Sequence, residues 1–266
     1  MRIDLAAFCA ALIPGMGRGR LGDGEAGQAF RAMMAALVRF DHVVVFAYRG
    51  NARPIDLFST FAPEDYEVFV ALYQAGPYLL DPFYHTARAR RAGIFRMKEL
   101  APDRFFSSEY FRSYYSQTRL AEEVGLFVPL DGEVTVVLSL MRQEGTGAFP
   151  AAEFGLLRDV TPLVASFVEH QWNDLGDRFD AVQGGAHGRR AEPVSAADRV
   201  WRRLNLTDRE ATIIELVLQG HSSESIGLKL GISTGTVKVH RRNVYRKLGI
   251  SSQIQLLSIY LQNLEQ

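Results

Sequence analysis

The stretch LTDREATIIELVLQGHSSESIGLKLGISTGTVKVHRRNVYRKLG, residues 206–249, decides how the C-terminal quarter of the chain folds. Thr207 offers a capping hydroxyl and Glu210, three residues on, completes a capping box; Ile213, Ile214, Leu216 and Val217 then form an apolar helical set that ends at Gly220. Ser222 caps a second, shorter helix carrying Ile226, Leu228 and Leu230, which stops at Gly231. Ser233 caps a third helix, Thr234 to Leu248, after only three turn residues. Two short helices joined in this way define a helix-turn-helix, whose second helix lies in the major groove of DNA.

At about 100° per residue, Val237, Val244 and Leu248 share one face of the third helix, while Gly235, Lys238, Val239, Arg242 and Arg246 point the other way. The helix carries five basic residues, Lys238, Arg241, Arg242, Arg246 and Lys247, and no acid, whereas the region from Leu204 onward holds seven basic and five acidic residues. The chain as a whole is neutral, with 30 basic and 30 acidic residues, so contact with nucleic acid must rest on this local clustering. Lys or Arg near the start of such a helix meets guanine edges, and those further along meet phosphates. The candidate DNA-contacting set is Thr234, Gly235, Thr236, Lys238, Val239, Arg241, Arg242, Arg246 and Lys247, with Gly235 allowing close backbone approach.

Leu206-Thr207-x-Arg209-Glu210, Gly220-x-Ser222, Gly231-Ile232-Ser233-x-x-Thr236-Val237-Lys238-x-His240 and Asn243-Val244-Tyr245-x-Lys247-Leu248-Gly249 resemble the LuxR-type DNA-binding domain. The resemblance implies four helices, the third reading double-stranded DNA and the fourth, Gln253 to Leu264, helping to pair two copies. Leu256, Leu257, Tyr260, Leu261 and Leu264 form a helical stripe there, a pattern that also serves as an intramolecular core face. Glu224, Gly227 and Gln253 depart from the usual Lys, Ala and Arg, and Glu224 removes one phosphate contact.

Upstream, apolar positions in Glu25–Arg39 recur at helical spacing. Strands are expected at 43–48 and 54–60 around the turn Arg49-Gly50-Asn51, and at 122–129 and 133–142 around Leu130-Asp131-Gly132. Helical patterns fill most of 63–117, and a long helix is expected from Ala151 to Trp172. The pattern predicts an α+β fold: a PAS- or GAF-like α/β/α sandwich with an antiparallel sheet, linked to an all-α four-helix domain. The Gly-rich, charged stretch 173–193 reads as linker, and a short helix resumes near Ser195. The domains expected are 1–172 for sensing, a linker over 173–203, and 204–266 for DNA binding.

Of the 29 aromatic residues, 17 lie between Asp41 and Leu120, and aromatics with a few polar handles make small-ligand pockets as readily as they fill cores. Tyr48, Tyr66, Tyr73, Asp81, Phe83, Phe95, Arg96 and Ser139 are the candidate ligand contacts. Leu80-Asp81-Pro82 and Gly125-Leu126-Phe127-Val128-Pro129-Leu130-x-Gly132 are similar to the autoinducer-binding domains of LuxR-family quorum-sensing receptors, where the matching Asp bonds an acyl-homoserine lactone amide. Val68 and Leu72 stand where that family carries its pocket Trp and Tyr, which disfavours the lactone and leaves another small molecule as the expected ligand. Asp81 before Pro82 equally reads as a plain helix cap. A first domain that binds a protein partner, with no small ligand, is the alternative.

Scattered His42, His85 and His170, with no His-Glu-x-x-His, Cys-x-x-Cys or Gly-Lys-Ser/Thr pattern, argue against catalysis, a metal or a cofactor. The acidic pair and strand-end Asp of a phosphorylated receiver are also missing. The single Cys9, the strand-length apolar runs and the absence of an export signal point to a cytoplasmic protein with no membrane span. A homodimer is expected, because one recognition helix reads few base pairs.

Overall fold

The computed structural model describes residues 3–17, 19–113, 119–182 and 196–264. They fall into two compact units: 3–70, 86–99 and 119–182 make the first, and 71–85, 100–113 and 196–264 the second. The second unit therefore combines the C-terminal helices with two segments from the middle of the chain.

The first unit is built on five strands, β1 (His42–Arg49), β2 (Ile55–Ser59), β3 (Gly93–Arg96), β4 (Leu120–Pro129) and β5 (Val134–Gln143). Their order is β2-β1-β5-β4-β3, and every neighbouring pair is antiparallel. Alternation in β1 and β5 assigns the faces: Val43, Val45, Ala47, Val134, Val136, Leu138 and Leu140 enter one apolar core. That core is closed by α1 (Leu5–Gly15), α2 (Asp23–Ala35), the long helix Ala151–Gln171 and the helix Leu175–Val182. Both hairpins and the long helix stand where the sequence pattern puts them. β3 lies inside a stretch that reads as helical, because four residues of edge strand leave no periodicity to detect. Leu175–Val182 lies inside the Gly-rich stretch 173–193, and its Leu175 and Phe179 are buried in the core. Two apolar residues one turn apart suffice to dock a short helix.

In the second unit the helices are α3 (Ala196–Arg203), α4 (Asp208–Leu218), α5 (Ser223–Leu230), α6 (Thr234–Leu248) and α7 (Gln253–Leu264). All three caps form: Thr207 and Glu210 bond reciprocally, Ser222 Oγ accepts from the Ser225 N–H, and Ser233 Oγ accepts from the Thr236 N–H. Gly231 and Gly249 end α5 and α6 with φ of +63° and +65°, the left-handed cap that side chains resist. Val200, Trp201, Ile213, Ile214, Val217, Ile226, Val237, Val244, Leu256, Leu257 and Tyr260 are buried. The Trp201 and Tyr260 rings stack at 4.9 Å. The α7 stripe thus spends Leu256, Leu257 and Tyr260 inside the unit, with Leu261 and Leu264 half-buried.

Candidate nucleic-acid interface and ligand residues

Helix α6 is seated by Val237 and Val244, and everything else about it follows from that orientation. Gly235, Thr236, Lys238, Val239, Arg242, Arg246 and Lys247 are exposed, and Thr234 and Arg241 are half-buried. Two of the five cations are engaged by neighbouring helices. Arg241 Nη1 donates to Ser223 Oγ at 3.2 Å, and Lys247 Nζ meets Glu210 Oε2 at 3.1 Å. The backbone N–H of Thr207, then Lys247, hold the Glu210 carboxyl below its ordinary range against a smaller opposing effect of burial. Arg246 Nη2 donates to Asn243 Oδ1 on its own helix at 3.2 Å. Among the described residues Lys238 and Arg242 make no hydrogen bond or ion pair. They stand with exposed Val239 on a capped helix, a cationic surface with an apolar contact suited to a thymine methyl. The exposed Glu224 lies near the start of α5, and Gln253 donates to the Val217 carbonyl at 3.0 Å, so the latter departure is a helix-docking bond.

His221, between α4 and α5, was not singled out by the sequence because a lone His carries no pattern. Burial, then Lys229, push its imidazole down to about 4 against the opposing pull of Asp103, and its Nδ1 lies 2.9 Å from Ser225 Oγ. Unfolded chains take up a proton at His221 near the ordinary 6.5, well before the folded one. Its stabilising contribution is therefore complete above that pH and is lost as pH falls toward 4. Thermal unfolding at pH 7.5 and pH 5 should show a smaller acid-induced loss in His221→Gln than in the parent; equal losses would refute the assignment.

The sheet face turned away from the helical core of the first unit carries Tyr48, Phe95 and Ser139. Register places Ser139 between Val44 and Gly125, with Phe95 beyond Gly125, and Val137 between Phe46 and Phe127 in the next row. Tyr48 pairs with Thr135 on the same face. The face thus mixes aromatic rings with the hydroxyls of Tyr48, Thr135 and Ser139. Phe46, Phe127 and Val137 were missed as candidates, although strand alternation was the available signal.

Arg96, next to Phe95, turns to the other face. There it forms a buried ion pair with Glu122, donates to the Phe149 carbonyl at 2.9 Å and lies 4.3 Å over the Phe154 ring. Tyr66 is exposed and donates to Asp56 Oδ2 at 2.6 Å, a bond that, with burial, pushes its phenol up to about 12. In the second unit, Tyr73 donates to Asp81 Oδ2 at 2.8 Å and the Phe83 N–H donates to Oδ1 at 2.7 Å. Asp81 therefore caps the helix Pro82–Arg88, and burial pushes its carboxyl up to about 6 against those two bonds. Six of the eight candidates form two sets, Tyr48, Phe95 and Ser139 on one sheet face, and Tyr73, Asp81 and Phe83 around one carboxyl, while Tyr66 and Arg96 join neither.

Comparison with known proteins is consistent with both halves. The model of bacterial regulatory proteins of the luxR family matches residues 204–260. An HTH-type transcriptional regulator encoded in the exeN 3' region of Aeromonas salmonicida is 32% identical over 188 residues, 69% of this chain and 94% of that protein. The transcriptional activator PhzR of Pseudomonas fluorescens is 28% identical over 204 residues, 72% of this chain and 69% of that protein. The crystal structure of the VqsR LBD domain from Pseudomonas aeruginosa superposes with a TM-score of 0.53 at 24% identity, covering 63% of this chain and 95% of that one. That likeness fixes the fold of the N-terminal α/β domain. No described helix is long and apolar enough to cross a membrane.

Proposed function

The chain belongs to the luxR family of bacterial regulatory proteins, DNA-binding transcription regulators, and from that premise we propose that a small molecule held by the first domain controls promoter binding by a pair of chains. The observation that carries the DNA half is the pair Lys238 and Arg242, exposed and unneutralised on a helix fixed by caps at both ends. Lys238 and Arg242 read base edges, Arg246 further along approaches phosphates, and two copies on a two-fold operator supply the rest of the sequence discrimination. For the ligand, support comes from the mixed aromatic and hydroxyl face of Tyr48, Phe95 and Ser139, which suits a small molecule with apolar bulk and a polar group. A bound molecule biases the regulator only through unequal affinity for its DNA-competent and incompetent forms.

Arg242→Ala is expected to cost about 1–3 kcal/mol on a specific operator and to flatten base preference at one position, while Arg246→Ala weakens binding evenly at all sequences. Selection from a random duplex pool followed by titration measures both, and unchanged affinity in both variants rejects α6 as the reading helix. A compound at a hundred times its dissociation constant adds about 2.7 kcal/mol of stability, which thermal shift across a metabolite library detects. No stabilising compound in any class would favour a protein partner instead.

A further inference from the structure

The second unit contains a clasp on the helix-turn-helix that DNA reading does not require. In the turn 103–105, the Asp103 Oδ1 accepts from the Ser222 N–H at 2.9 Å, and the Arg104 N–H donates to the Gly220 carbonyl at 2.9 Å. Gly220, at φ +96°, has no space for a side chain: a Cβ there would lie 2.6 Å from the Phe105 Cα. Phe105 is fully buried and anchors the turn through edge contacts with Phe106 and Phe111. Three consecutive residues thus grip the junction between α4 and α5.

Helix α5 does not need this grip to form. Ser222 Oγ already caps it by accepting from the Ser225 N–H at 3.0 Å. What Asp103 adds is an exposed negative charge at the positive end of α5. The first helix of a helix-turn-helix crosses the DNA backbone, and N–H groups at helix N-termini are among the donors that phosphates take. A carboxylate on the Ser222 N–H both occupies such a donor and repels an approaching phosphate.

We propose that this clasp is autoinhibitory: Asp103, Arg104 and Phe105 hold the helix-turn-helix in a restrained form, and release of the turn is a step toward full DNA affinity. The inference rests on DNA binding by the chain but not on the identity of any ligand. The test uses the full chain without added compounds, titrated by fluorescence anisotropy against a labelled mixed-sequence duplex at several salt concentrations. Asp103→Asn keeps an acceptor and removes the charge. Gly220→Ala forces the Phe105 backbone away without changing any charge. Both are expected to bind about fivefold or more tightly than the parent, the lower end of usual intramolecular coupling. In Asp103→Asn the salt slope should also steepen by about one, as a phosphate contact is gained. Should Gly220→Ala fail to fold by circular dichroism, Asp103→Asn decides alone. Parental or weaker binding by folded Asp103→Asn overturns the clasp, whereas a parent that binds no duplex even at low salt would overturn the DNA reading and the clasp with it.

Discussion

Glu122→Ala is expected to destabilise the first unit by about 3–5 kcal/mol, because it strands the Arg96 guanidinium in a place water does not reach. The Glu122 side chain is 6% exposed and that of Arg96 is 10% exposed. Glu122 also accepts from the Phe149 N–H at 2.6 Å, so the substitution orphans a backbone donor as well as a cation. Arg96 keeps only the Phe149 carbonyl and its position over Phe154. Replacing both partners with apolar residues, Arg96→Met with Glu122→Leu, should recover most of the loss, since it removes the buried charges together. Urea unfolding of the two variants separates the cases. A loss below about 1 kcal/mol in Glu122→Ala would mean that the pair is effectively solvated.

Trp201→Ala should cost the second unit about 3–5 kcal/mol through the cavity it leaves under Tyr260, the range for large aromatic truncations. Loss of DNA binding on warming should follow at a correspondingly lower temperature. Tyr260→Phe is expected to act in the opposite direction. Its hydroxyl is buried with no hydrogen-bond partner among the described residues, so removing it relieves an unsatisfied polar group worth about 1–3 kcal/mol. Thermal unfolding that places Tyr260→Phe below the parent would show that the hydroxyl is bonded in solution.

The helix-turn-helix was readable because its determinants are local. A hydroxyl three residues before an acid, as in Thr207 and Glu210, and glycines at helix ends each act within one turn, so the sequence order states the geometry directly. The hairpins were readable for the same reason, since strand alternation and turn residues at 49–51 and 130–132 lie next to one another in the chain. Trp201, by contrast, sits in a stretch that reads as the end of a linker, and nothing near it reveals that its partner is Tyr260. The membership of 71–85 and 100–113 in the same unit as the C-terminal helices is likewise a matter of contacts remote in sequence. Residue type alone also could not separate Phe95 from Arg96. Strand pleating sends them to opposite faces, and that was hidden until 93–96 was known to be a strand. The expected cap at Ser195, and residues 183–195 of the expected linker 173–203, lie outside the described residues.

The strand order has a further consequence for biosynthesis. β1 and β2 leave the ribosome as a hairpin, but the other edge of β1 pairs with β5, which is made only after β3 and β4. At about 5–20 residues per second, the run Val43-Val44-Val45-Phe46 waits several seconds with one row of backbone groups open and its core face still lacking the long helix Ala151–Gln171. β-branched, uncharged segments of this kind join one another readily when left open. Yield of the newly made regulator should therefore depend on translation speed and on chaperones that shield nascent strands, independently of how stable the finished fold is.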